Sequence, residues 1–184
     1  MSLKELTLKE HRFAEEQDFA NLMMSGNIEN YVYFHYLINQ HSIYNALENT
    51  YYNLPDNRLA RAKAIDTDIE ELKLMGSMPV LCYDLEPSTK EYVQYVKENI
   101  HTDKQYLAHI YVRYLGDLRG GQMIARKVPG GGKYYEFDEP KLLAESIYSR
   151  LDDSMADEAK VVFDFATRLF QELHARHFPN PEKM

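Results

Sequence analysis

The sequence predicts an all-α fold, because hydrophobic residues recur with a helical period along most of the chain and short turn motifs separate the periodic stretches. Residues 3–24 form the first stretch and residues 28–52 the second. Ser-Gly-Asn at 25–27 ends the first, and Asn-Leu-Pro-Asp-Asn at 53–57 ends the second, since Pro55 cannot continue a helix interior. The chain contains no internal repeat and no convincing strand pattern, so we expect a single-domain bundle of several helices.

The later helices are predicted from the same start and stop signals. They lie near residues 57–65, 67–75, 88–99, 102–127, 139–150 and 155–176. Pro-Gly-Gly-Gly at 129–132 ends the longest of them, and Lys-Tyr-Tyr-Glu-Phe at 133–137 is predicted to be extended. We expect one helical domain over residues 1–178, followed by a short polar tail over 179–184.

The composition describes an acidic globular protein. The formal net charge of −8 argues against nucleic acid as the main partner, because phosphate binding needs a surplus of Lys and Arg. A single cysteine, Cys82, excludes an intrachain disulfide and a cysteine-rich metal site, which agrees with a reducing cytoplasm. No apolar run approaches the roughly 18 residues of a membrane span, and residues 1–11 lack the apolar centre of a signal peptide. We therefore expect a cytoplasmic protein without a membrane anchor.

His11 is the first candidate ligand. Glu15 follows it by one helical turn and lies on the same helix face. An imidazole that binds a metal through one nitrogen usually gives its other N–H to a carboxylate, a carbonyl or water, and Glu15 is placed for that role. The same spacing is more often found in a simple His–Glu pair on a helix surface. His11 therefore needs support from another segment.

Three glycines interrupt the longest predicted helix, namely Gly116, Gly120 and Gly121. Each glycine in a helix interior costs about 1 kcal/mol relative to alanine, which is a large share of a net stability of about 5–15 kcal/mol. Two explanations stay open. The glycines permit close packing of another helix, or they let the backbone approach a planar ligand and let the helix kink. Asp117 favours the second explanation, because a carboxylate can hold water near a ligand but would be an unusual residue in a dry interface between two helices.

Residues 113–122, Arg-Tyr-Leu-Gly-Asp-Leu-Arg-Gly-Gly-Gln, resemble the signature on the distal helix of haem oxygenases. Lys-Glu-His-Arg-Phe-Ala-Glu at 9–15 resembles the proximal-histidine segment of that family. Residues 40–48 and 157–173 resemble further family segments in the same order, so the resemblance covers nearly the whole chain. It implies a haem oxygenase-like bundle, with haem between the first helix and a distal helix kinked at its glycines.

The resemblance also implies roles for individual residues. It makes His11 the proximal iron ligand and Glu15 its hydrogen-bonding partner. It sets the backbone of Gly116 and Gly120 against the distal haem face and assigns distal water to Asp117. Further haem-binding residues are expected to be Tyr44, Tyr111, Arg113, Tyr114, Gly121, Phe163 and Phe170, with Lys4 and Arg150 as cations for the propionates. Arg119 departs from the family, which usually has serine there, so local hydrogen bonds are expected to differ.

The activity that the resemblance implies is oxidative cleavage of haem by O2 and reducing equivalents to biliverdin, carbon monoxide and Fe2+. A b-type haem is then both substrate and cofactor. The electrons must come from outside, since the sequence has no flavin or nicotinamide fingerprint and Pro-Gly-Gly-Gly-Lys is not a phosphate loop. An acidic donor such as ferredoxin is expected to dock on basic residues near the two site segments, and a bilin reductase is a further expected partner. Those basic residues are Lys4, Lys9, Arg12, Arg113, Arg119, Arg126, Lys127 and Lys133.

Three other classes remain as alternatives. A di-iron oxidase of the same architecture needs several inward Glu and His ligands on different helices, often as Glu-x-x-His pairs, and we expect no such pair. A thiaminase-like nucleophile would have to be Cys82, with no evident base beside it. A haem carrier without activity would use the same pocket. His109 is an alternative ligand but is expected to be structural or at the pocket edge. Surface or packing roles are expected for His35, His41, His101, His174 and His177.

Overall fold

The computed structural model describes residues 1–183, and within that range it contains nine α-helices and no strand, which confirms the all-α prediction. The helices are α1 (Leu3–Leu6), α2 (Leu8–Glu15), α3 (Asp18–Ser25), α4 (Asn30–Glu48), α5 (Ala62–Met75), α6 (Pro87–Asn99), α7 (Asp103–Ile124), α8 (Pro140–Tyr148) and α9 (Ala156–His177). Short 3-10 turns lie at Asn57–Leu59, Val80–Tyr83, Lys133–Tyr135, Asp153–Met155 and Pro181–Lys183. Residue 184, the end of the predicted polar tail, lies outside the described residues.

The first predicted helix, over residues 3–24, is wrong because the segment forms three helices. The Thr7 hydroxyl donates to the Leu3 carbonyl at 2.9 Å, and this side-chain bond competes with a continuing helix at the junction of α1 and α2. Gln17 is extended between α2 and α3. Gly26 then ends α3 in the left-handed region, at φ 79°. The apolar period persists across these breaks, so it did not reveal them.

Two further boundaries differ from the prediction. In place of the helices expected over 57–65 and 67–75, the chain forms a 3-10 turn and the single helix α5. The Asp56 side chain accepts a hydrogen bond from the backbone N–H of Arg58, which starts the 3-10 turn. The segment expected to be extended at 133–137 begins with a 3-10 turn. The Asp68 carboxylate holds that turn by accepting the backbone N–H groups of Lys133, at 2.9 Å, and Tyr134, at 2.8 Å. The remaining helices agree with the prediction to within four residues at each end.

Helix α9 organises the part of the fold that carries the site. It packs against α2 and α3 on one side and against α6 and α7 on another. Helix α4 is buried along most of its length and packs against α5 and α6. Helix α9 therefore contacts both α2, which carries His11, and α7, which carries the three glycines. Every helix in the described range is too short or too polar to cross a bilayer.

Candidate functional site

His11 lies on α2 with its imidazole partly exposed, at 45% of the side-chain surface. The ring stacks on Phe163 of α9, with ring centres 5.4 Å apart and planes inclined by 23°. The packing of α2 on α9 therefore fixes the orientation of the imidazole and leaves part of it free for a ligand.

Glu15 contacts His11 as the spacing predicts, but it does so through the nitrogen at the tip of the ring. The distance from His11 Nε2 to Glu15 Oε1 is 2.9 Å. One ring nitrogen cannot bind this carboxylate and a metal ion at the same time. If iron binds Nε2, Glu15 can keep its predicted role only by moving to Nδ1.

The glycines of α7 have two different surroundings, so close packing of another segment applies to only one of them. A Cβ added to Gly116 or Gly120 would meet no atom of the described chain within 4 Å, apart from the helix's own backbone. A Cβ added to Gly121 would lie 2.5 Å from the Tyr135 ring. Gly121 thus serves close packing, whereas Gly116 and Gly120 leave a bare strip of backbone facing open space. The helix itself continues through all three glycines without a break.

Helices α2 and α7 are joined by a contact between two hydroxyls. The hydroxyls of Thr7 and Tyr111 are 3.3 Å apart, which links the start of α2 to the middle of α7. Gly116 and Gly120 follow Tyr111 along α7 and have no such neighbour. The two helices are therefore linked at Tyr111, whereas α7 is uncovered over Gly116 and Gly120.

Asp117 is the most strongly perturbed acid of the site. Its carboxylate accepts hydrogen bonds from the hydroxyls of Tyr44, on α4, and Tyr134, the latter at 3.2 Å. Removal from water raises the pKa of Asp117 to about 7, although the two tyrosines and the positive charges of Arg61 and Arg113 pull the pKa down. A carboxyl group with this pKa can hold or release a proton near neutral pH.

Tyr134 is a further residue of this cluster, and the sequence did not indicate it. Its hydroxyl accepts a hydrogen bond from Gln40 Nε2 at 2.9 Å and donates to Asp117, so it connects α4 with α7. Its ring stacks on Tyr135 with centres 4.1 Å apart. The only hint in the sequence is the excess of tyrosine, 15 residues in all, which does not indicate which tyrosine reaches Asp117.

Two more of the predicted haem-binding residues, Tyr114 and Arg113, are buried near this carboxylate. The Tyr114 hydroxyl donates to Glu48 Oε1 at 2.9 Å. The Arg113 guanidinium lies over the Tyr92 ring at 4.1 Å, and its Nε and Nη2 have no acceptor within residues 1–183. Arg113 therefore contributes positive charge beside Asp117 while its own hydrogen bonds remain partly unsatisfied.

Helix α9 supplies two of the predicted aromatic residues. Phe163 stacks on His11. Phe170, two turns later on α9, stacks between Phe19 and Tyr36, at 6.0 and 6.3 Å. Phe163 thus lies directly beside the candidate ligand, whereas Phe170 packs with α3 and α4.

Lys4, Arg119 and Arg150 are exposed on the surface. Within the described residues, Lys4 and Arg150 form no ion pair, and Arg119 lies over the Tyr148 ring at 4.9 Å. The roles of Lys4 and Arg150 toward propionates remain predictions. The contact of Arg119 with α8 accounts for an arginine at this position without reference to a ligand.

His109 is structural. Its Nε2 is 2.8 Å from Glu158 Oε1 and its Nδ1 is 2.6 Å from the Tyr92 hydroxyl, so neither nitrogen is free to bind a metal. The expectation that the chain has no Glu-x-x-His pair is wrong, because Glu98 and His101 have this spacing. Both residues are exposed around the end of α6, so they offer no inward ligand set for a di-iron site.

Comparison with known proteins adds to this geometry. The family model described as heme oxygenase matches residues 1–182. A heme oxygenase of Rhodella violacea is 28% identical, with 95% of this chain and 86% of that protein covered. The heme oxygenase structure from Leptospira interrogans superposes with a TM-score of 0.76 at 28% identity, covering 94% of this chain and 100% of that one. Heme oxygenase-1 of Synechocystis in complex with heme, at 24% identity and a TM-score of 0.76, shares the fold over 95% of this chain and 91% of that one.

Proposed function

Because the chain belongs to the haem oxygenase family, we propose that it binds haem between α2 and α7 and cleaves it with O2 and external electrons. The proposed products are biliverdin, carbon monoxide and Fe2+. The observation that carries this proposal is the bare backbone at Gly116 and Gly120, with the hydrogen-bonded carboxylate of Asp117 between them.

The residues present fit an iron porphyrin. His11 offers a partly exposed imidazole, the preferred protein ligand of haem iron in many haem proteins. The missing side chains at Gly116 and Gly120 leave room for a flat ring. Arg113 adds buried guanidinium N–H groups that lack acceptors within the described chain and that can bind water or a ligand oxygen.

Bound haem would supply an iron centre that binds O2 once it is reduced. His11 would hold the iron from the α2 side, with Phe163 keeping the imidazole in place. Asp117 would hold a proton near neutral pH and pass it, through water, toward the reacting face. Tyr44 and Tyr134 would keep the carboxylate in position through their hydroxyls. The glycine backbone would allow the ring to approach α7 closely.

Mixing the purified protein with hemin and reducing it under air tests the function. We expect the Soret absorption to fall and a bilin band to grow. His11→Ala should lower the affinity for hemin and abolish bilin formation, because the iron loses its protein ligand. His101→Ala, a substitution at an exposed histidine, is the matched control and should behave as wild type. Stable haem without bilin in the wild type would instead identify a carrier, and a protein that takes up no hemin would refute the proposal.

We also propose that the electron donor is an acidic protein such as ferredoxin. Arg12, Arg119, Arg126 and Lys127 are exposed on or beside α2 and α7 and form no ion pair within residues 1–183. The patch predicted from sequence is smaller in the structure, because Arg113 is buried and Lys133 pairs with Glu136 at 2.8 Å.

Charge reversal tests this surface. Arg126→Glu with Lys127→Glu should slow ferredoxin-supported turnover by roughly tenfold at low salt, since opposite charges speed encounter. Turnover with a small chemical reductant should stay unchanged. Lys63→Glu with Lys90→Glu, on α5 and α6, keeps the same net charge as the test variant and should match the wild type. Equal ferredoxin rates for both double variants would exclude the proposed surface.

The remaining assignments follow from the same reasoning. We place the chain in the cytoplasm, in agreement with its single cysteine. A bilin reductase would consume the product, and residues 1–178 would form the functional domain.

A further inference from the structure

His35, Cys82 and His177 come together at a place that the proposed haem chemistry does not use. They lie on α4, on the 3-10 turn Val80–Tyr83 and at the last residue of α9, and their ligand atoms all lie within 4.8 Å of one another. His35 and Cys82 are fully buried, and His177 is half-buried. Cys82 therefore has two histidines beside it that the sequence did not indicate.

The hydrogen bonds of His35 resemble those of a metal-binding histidine. Its Nε2 is 2.9 Å from the backbone carbonyl of Asp84 and 3.3 Å from Glu86 Oε1, so it donates its N–H on that side. The other nitrogen, Nδ1, is then unprotonated and faces His177 Nε2 at 2.9 Å. A carbonyl or carboxylate on the far nitrogen is the usual way in which proteins orient a ligating imidazole.

Glu86 supplies charge next to this cluster. It is buried at 3% exposure, and its carboxylate also accepts a hydrogen bond from Arg176 at 3.1 Å. The pair of Glu86 and Arg176 is neutral as a unit, so the arginine does not leave an uncompensated positive charge near a cation. The carboxylate oxygen nearest His35 strengthens the imidazole as a donor to a metal ion.

We propose that His35, Cys82 and His177 form a binding site for Zn2+, with three protein ligands and a fourth position open to water. Zn2+ takes sulfur at about 2.3 Å and nitrogen at about 2.0–2.1 Å in tetrahedral geometry, which places neighbouring ligand atoms roughly 3.3–3.6 Å apart. The two histidine nitrogens must move apart by a few tenths of an ångström, and the sulfur must approach. A mixed nitrogen and thiolate set favours zinc over magnesium or calcium.

The site is separate from the proposed haem position. Phe163, which stacks on His11, precedes His177 by 14 residues of α9, or about 21 Å along the helix. A zinc ion there would join the end of α9 to α4 and to the turn that carries Cys82. It would therefore stabilise the fold without taking part in the reaction.

A role for Cys82 as a nucleophile is not supported. The side chain has no exposed surface, so a substrate cannot reach the sulfur, and burial raises the pKa of the thiol. A metal ion is much smaller than a substrate and can enter the cluster beside the half-buried His177. The cluster of His35, Cys82 and His177 is therefore better suited to binding a metal ion than to nucleophilic catalysis.

Zinc titration of the chelator-treated full chain, kept reduced, tests the proposal. The His11→Ala background removes the exposed pair of His11 and Glu15, which could bind zinc by itself. We expect one Zn2+ per chain. Cys82→Ser and His177→Gln should each weaken binding by more than about 100-fold, because losing even a partner of a ligand costs about 10–100-fold. His174→Gln, on the same helix but outside the cluster, is the matched control and should bind as its parent does.

Two further measurements separate metal binding from a folding defect. Zn2+ should raise the melting temperature of the parent and of His174→Gln but not that of His177→Gln, which alters a half-buried position. Co2+ should give a thiolate-to-metal absorption band that Cys82→Ser lacks. Absence of stoichiometric zinc, or equal binding by the cluster variants and the control, would overturn the proposal and leave the haem assignment untouched.

Discussion

Asp117→Asn is expected to slow haem ring opening by roughly 100- to 10,000-fold, the usual effect of removing a group that transfers a proton. Hemin uptake should stay close to that of the wild type, because asparagine has nearly the same size and Asp117 is not the proposed iron ligand. Single-turnover absorbance after reduction under air measures the rate, and a hemin titration measures binding. Tyr134→Phe keeps the carboxylate and its bond from Tyr44, so we expect a much smaller decrease there.

The pH dependence provides a second readout of the same group. Burial raises the pKa of Asp117 to about 7, so the carboxyl group is protonated below that pH and ionised above it. The wild-type rate should therefore fall as pH rises through about 7, and Asp117→Asn should lack this decline. Since the folded pKa lies above the unfolded one, the stability contributed by the protonated acid should decrease as pH rises from about 4 to about 7. An unchanged rate or an unchanged pH profile in the variant would remove Asp117 from the mechanism.

Gly116→Ala combined with Gly120→Ala is expected to stabilise the haem-free protein and to weaken haem binding. Each alanine should add about 1 kcal/mol, because the added methyl meets no neighbour and the helix gains propensity. The same methyls would occupy the space in which the ring approaches α7. We expect hemin affinity to fall by roughly tenfold or more, equivalent to at least about 1.4 kcal/mol. Chemical denaturation and hemin titration measure the two effects.

Gly121→Ala is the matched control for that pair. Its methyl would lie 2.5 Å from the Tyr135 ring, so overpacking should destabilise the protein by about 1–3 kcal/mol. The opposite signs of the two stability effects separate helix propensity from packing. If the double alanine variant bound hemin as tightly as the wild type, the ring could not lie against this strip of α7.

The features that the sequence predicted correctly depend on interactions between residues that are close together in the chain. The period of apolar residues within a segment predicts a helix, so most helix positions and the all-α class could be predicted from the sequence. The glycines around Asp117 were informative for the same reason, since their cost to helix stability is a local quantity. His11 and Glu15 also lie within one turn, and their contact was predicted correctly, although not the ring nitrogen that makes it.

Contacts between distant segments required the packed structure. Tyr134 reaches Asp117 only because Asp68 holds the turn after α7, and no periodicity relates these residues. Likewise, 142 positions separate His35 from His177, and α9 must pack before the two rings meet. Propensity acts over a few neighbouring residues, whereas the burial of whole helix faces brings remote side chains together, so the helices were readable from sequence and the polar clusters between them were not.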